Sequence, residues 1–235
     1  YDAAFATLAR VGGAGAARAI AQITLIGGFA STVFWPVGYY LAHSFGWRAA
    51  VAIYAAMALA AIPLVLTVPR PVAGKPAASL HGAEHALPER DVRVGAILFA
   101  MMVTLQTFLL AGMTSHVLMV LGDIGVSAAV AVSAAALQGV GQFIARFVQI
   151  FLRAISSPLR LAILAAGLLA FAFVFAIAGH GHAAAAYAFM LLLGAGNGLM
   201  TIAKGTVPLI MFRREVYGAK VGRLIAPGYF LTATA

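Results

Sequence analysis

Seven stretches of this chain, at about 20–42, 48–68, 93–115, 126–148, 158–179, 184–206 and 218–235, are apolar over the length of a bilayer-crossing helix. Such a helix needs about 20 mostly apolar residues. A backbone inside lipid must satisfy its own hydrogen bonds, so segments of this kind span as α-helices. The rest of the composition agrees: 63% of the 235 residues are hydrophobic and only 9% are charged, against roughly 25% charged in soluble domains. So few charges cannot coat a water-facing surface, which excludes a soluble globular enzyme and a disordered chain. With no cysteine, a disulfide framework, a thiolate metal site and a Cys nucleophile are excluded too. The expected fold is all-α, a polytopic membrane helix bundle of about seven transmembrane helices. Pro36 and Pro63 fall inside the first two stretches, where a bundle tolerates the kink they impose. Glycines recur at 27, 28, 139, 141, 194, 196 and 198, small residues that let helices approach closely in lipid.

The net charge of +9 raises the question of a nucleic-acid partner. Placement answers it. With the loops alternating between two sides, Arg10, Arg18, Arg70, Lys75, Arg90, Arg93, Arg146, Arg153, Arg160, Lys204, Arg213, Arg214, Lys220 and Arg223 share one side, and only Arg48 of the 15 basic residues falls on the other. The positive-inside rule makes the crowded side cytoplasmic. The basic excess is thus topological, and no nucleic-acid partner is expected. The one long polar break, 69–92, is rich in Pro, Gly, Ser and charge and reads as a cytoplasmic linker. It divides the chain into 1–68 and 93–235. The chain begins at Tyr1 and runs out inside an apolar stretch, which reads as an internal segment of a longer protein.

Few chemical motifs stand out. His81, Glu84 and His85 spell H-x-x-E-H within the linker, a pattern shared with inverted zinc-protease signatures. Gly82 interrupts it and Pro76 and Pro88 bracket it, so a solvated loop is the better reading. His180 and His182 flank a glycine in a short outer turn, and two histidines without a third ligand do not make a metal site. No metal or cofactor is expected.

Two polar stripes matter more. Gln138, Gln142, Arg146, Gln149 and Arg153 recur at spacings of 4, 4, 3 and 4, on one helical face. Asn197, Thr201 and Lys204 lie at i, i+4 and i+7, again on one face. Gln106, with Thr104 and Thr107, sits near the middle of its stretch, and His116 near its outer end. Polar groups in a membrane interior are costly and mark substrate or ion pathways. The alternatives are interhelical hydrogen bonds for the amides and snorkelling to the surface for the cations. The six acids, Asp2, Glu84, Glu89, Asp91, Asp123 and Glu215, are expected in loops or at edges. A proton-coupled carboxylate would then lie outside this segment, or His116 would serve instead.

Two helices, a long basic linker and five more helices resemble the middle of a major facilitator superfamily transporter. GGFASTVFWPVGYYLAHSFGWR is similar to the family's fifth helix, with its turn into the sixth. GQFIARFVQIFLRAISSPLR resembles the basic loop between helices eight and nine. There Gly141, Arg146 and Arg153 loosely match a gating motif whose Asp is absent. GNGLMTIAKGTVPLIMFRREVYG is similar to helix ten and the start of eleven in bacterial members. The resemblance implies that the end of helix four through most of helix eleven is present, with helices seven and ten, which carry Gln106 and Asn197, lining a central cavity. It implies a multi-pass protein of a cell membrane, a bacterial inner membrane, that moves a small solute by alternating access. Gln106, Asn197, Thr201 and Lys204 are then the expected substrate ligands. Gln138, Gln142, Arg146 and Arg153 are the expected gating residues, and a proton is a possible coupling ion. A cationic lining without buried acid points to an organic anion. The rival reading is a membrane-embedded lipid-modifying enzyme.

Overall fold

A computed structural model describes residues 1–67, 88–151 and 157–233. Seven α-helices account for nearly all of them: α1 (Asp2–Val11), α2 (Ala16–Leu66), α3 (Glu89–Asp123), α4 (Ala128–Phe151), α5 (Pro158–Ala178), α6 (Ala183–Met211) and α7 (Arg214–Thr232), with a 3₁₀ turn at Gly13–Gly15 between the first two. Five described helical segments are long and apolar enough to cross a membrane: Tyr40–Leu66, Arg90–Asp123, Ala128–Phe151, Pro158–Ala178 and Ala183–Met211. The described residues of all seven apolar stretches fall mainly on helices, and the bundle is all-α among the described residues.

The helix ends differ from the expected ones for physical reasons. α3 continues to Asp123, past the polar run Thr114, Ser115 and His116, because that polarity costs the helix little. Thr114 Oγ1 donates to the Leu110 carbonyl one turn back, at 2.7 Å, a local bond that a hydroxyl makes within a helix. At its other end α3 begins at Glu89, so the last four residues of the expected linker, 89–92, are helical. α2 takes in two of the apolar stretches and breaks between them at Gly46, with φ 80° and ψ 159°. Side chains with a Cβ rarely adopt that conformation, and glycine does so without penalty.

The chain divides into two compact units, Tyr1–Gly28 with Ala86–Ala235, and Phe29–His85. In the second, the break at Gly46 folds the helix back on itself, so that Tyr54 Oη donates to the Phe34 carbonyl at 3.0 Å and the two rings meet tilted by 58° with centroids 6.0 Å apart. In the first, α6 is the central helix, packed against α1, α3, α4, α5 and α7. Its buried residues run from Ala186 to Pro208. Glycines let its neighbours close in. A methyl group on Gly141 of α4 would overlap the Leu191 carbonyl of α6, and one on Gly194 would overlap the Gln138 carbonyl. On the opposite flank, a Cβ at Gly196 would stand 2.7 Å from Leu169 of α5. This is backbone-to-backbone packing of the kind small residues permit in membranes.

Candidate functional site

The polar face of α6 is where the sequence-derived site residues converge. Asn197, Thr201 and Lys204 span about 10 Å along the helix, at 1.5 Å per residue. At one end, Gln106 Nε2 of α3 donates to Asn197 Oδ1 at 3.1 Å. Both side chains are partly buried. Thr201 turns inward on its own helix, its hydroxyl donating to the Asn197 carbonyl at 2.9 Å. That hydroxyl oxygen keeps acceptor capacity, since its donor is used.

Lys204 ends the stripe. Its ammonium lies 3.0 Å from Asp2 Oδ1 and 3.2 Å from Oδ2, with Tyr229 Oη at 3.3 Å. Tyr229 also donates to Asp2 Oδ2, and its ring lies 5.4 Å from the Lys204 ammonium. Helices α1, α6 and α7 thus contribute one group each to a carboxylate–ammonium–phenol cluster. Asp2 stands at an edge, as expected, being the first residue of a helix packed on α6 and α7. At ten residues α1 is too short to register as a span, and an aromatic at position 229 carries no polar signal in an apolar run. Asp2 and Tyr229 therefore escape a search for polar stripes.

The α4 stripe is distributed differently. Gln138 and Gln142 are partly buried, where α4 lies against the glycines of α6. Arg146 is 2% exposed, so it does not snorkel to the surface. Its Nη1 donates to the Thr24 carbonyl of α2 at 2.9 Å and its Nε to the Gly198 carbonyl of α6 at 3.2 Å. Gly28 makes room for the guanidinium, which a methyl group there would strike. One side chain thereby ties three helices. Buried Thr24 was not marked by the sequence, and its hydroxyl turns back to the Ala21 carbonyl at 2.8 Å. Arg153 and the H-x-x-E-H residues His81, Glu84 and His85 lie outside the described residues. Among the described residues, no three His, Asp or Glu side chains gather as metal ligands. His116 is exposed near the far end of α3.

A bundle of apolar helices, five of whose described segments are long enough to cross a bilayer, is that of a multi-pass membrane protein. The chain belongs to the Major Facilitator Superfamily, whose family model matches residues 4–222, and it is a membrane transporter of that superfamily. No curated protein and no solved structure matches it.

Proposed function

We propose that this protein is a secondary active transporter that moves a small organic anion by alternating access across a cell membrane, a bacterial inner membrane, with the linker on the cytoplasmic side. The halves 1–68 and 93–235 rock about the polar face of α6. Gln106, Asn197 and Thr201 offer hydrogen bonds to the substrate, and Lys204 offers the positive charge. The supporting observation is the Lys204–Asp2 pair, a carboxylate already seated on the ammonium at the end of the stripe. A substrate carboxylate competes for the same ammonium, and a proton on Asp2 releases it. Anion and proton then travel together, and the cluster re-forms when both have left. Arg146, Gln138 and Gln142, with Arg153, act at the gate. Arg146 and Asp2 each join the half before the linker to the half after it, as a closed gate requires. The rival reading, a membrane-embedded lipid-modifying enzyme, finds no support.

Counterflow of organic anions in proteoliposomes containing the whole protein tests this. Lys204→Ala is expected to cut uptake at least about tenfold, since an ion pair in a partly desolvated site is worth more than one in water. Arg160→Ala, on an exposed residue, should leave uptake near the parent level. Asp2→Asn is expected to exchange anions but to lose accumulation driven by a pH gradient. Equal losses from the two cation variants would remove Lys204 from the path.

A further inference from the structure

A second feature lies apart from the α6 stripe. At the end of the bundle where α3 and α7 begin, a cavity of about 500 Å³ is lined by Arg93 of α3 and by Lys220 and Arg223 of α7, with Ala96, Phe212 and Leu224 among its apolar walls. All three cations are exposed. No acid lines the cavity among the described residues, and the Lys204–Asp2 pair lies elsewhere. Three positive charges lining one cavity draw an anion to it.

We infer that this cavity binds the headgroup phosphate of an anionic phospholipid of the surrounding bilayer. The depth is suitable. Arg93 lies four residues into α3, and Lys220 and Arg223 lie six and nine residues into α7. These positions are about 6–14 Å from the helix starts at 1.5 Å per residue, and long cationic side chains reach back from there to the headgroup level. The apolar part of the site decides between a lipid and a soluble anion. Free phosphate would use the three cations and leave Phe212 and Leu224 wetted. A phospholipid uses both. From Arg93, the exposed side chains Ile97, Met101 and Leu105 follow at every fourth residue of α3, an unbroken apolar track on one helix face along which an acyl chain can lie. Basic pockets between transmembrane helices hold lipid headgroups by this combination of charge and apolar wall.

The test uses the whole protein released from vesicles of phosphatidylcholine and phosphatidylglycerol with identical acyl chains, with retained lipid read by native mass spectrometry. Phosphatidylglycerol is expected to be retained at least about tenfold over phosphatidylcholine, as three interfacial cations imply. Replacing Arg93, Lys220 and Arg223 together by Gln should bring the two lipids level. Replacing Arg18 and Arg160, exposed cations elsewhere, by Gln should change nothing. Arg223→Gln alone should give a partial loss, which keeps the question answerable if the triple variant fails to fold. Equal retention of both lipids by the parent, or undiminished phosphatidylglycerol on the triple variant, would overturn the inference. So would complete displacement by inorganic phosphate, which would make the site one for a soluble anion.

Discussion

Arg146 brings a full charge into the bundle and meets it with backbone carbonyls rather than a carboxylate. Carbonyl dipoles orient a guanidinium well, since its planar fork offers five donors, but they do not neutralise it. Replacing a buried ion by an apolar side chain of similar volume is often neutral or stabilising, by about 1–4 kcal/mol. Arg146→Met is therefore expected to unfold in detergent at or above the parent's temperature while losing uptake in proteoliposomes. Arg146→Lys keeps the charge with fewer directed donors, and should unfold earlier than the parent. Parallel losses of stability and uptake in Arg146→Met would make this arginine a structural strut. The spacing of polar residues marks Arg146 as facing the bundle, because position along a helix fixes direction. Its acceptors include the carbonyls of residues 122 and 52 positions away along the chain, and no local pattern names them.

The α4–α6 seam is built from absence. Gly141 and Gly194 sit where any side chain would strike the facing backbone. Gly194→Ala is expected to destabilise the protein by about 1–3 kcal/mol, the usual cost of overpacking. The control is Gly167 in α5, where an added Cβ meets nothing within 4 Å. There Gly→Ala should hold or raise the unfolding temperature, since alanine is the better helix former. Similar shifts at the two positions would mean that the seam relaxes freely. Glycine clustering in the sequence suggests close approach, but which helix comes close is a tertiary fact. The elements themselves were largely legible. α5 spans Pro158–Ala178 against an expected 158–179, because an apolar run broken only by Arg160 in its first turn and bounded by Ser-Ser-Pro and Gly-His leaves little freedom. α3 and α6 run past the expected stretches because the residues they add, 117–122 and 207–211, are themselves mostly apolar.

For the molecule as a whole, the decisive question is whether water reaches the polar face of α6. A chain without cysteine suits the experiment. Single cysteines at 106, 142 and 197 are expected to react with a membrane-impermeant thiol reagent from one side of the membrane, and substrate should change the rates. No reaction from either side would reduce Gln106 and Asn197 to a hydrogen bond that holds α3 to α6. Hydropathy and the distribution of basic residues determined by themselves that this chain spans a membrane many times as helices, because the cost of placing backbone and charge in lipid is paid residue by residue. They also marked the α6 stripe, because helical periodicity is local. Only the tertiary structure decided that Lys204 faces Asp2 and Tyr229, that Arg146 reaches Thr24 and Gly198, and that Arg93 shares a cavity with Lys220 and Arg223. Those meetings depend on how helices distant in sequence settle against one another. That is set by the shapes of whole faces, in which a single missing methyl group counts as much as a charge.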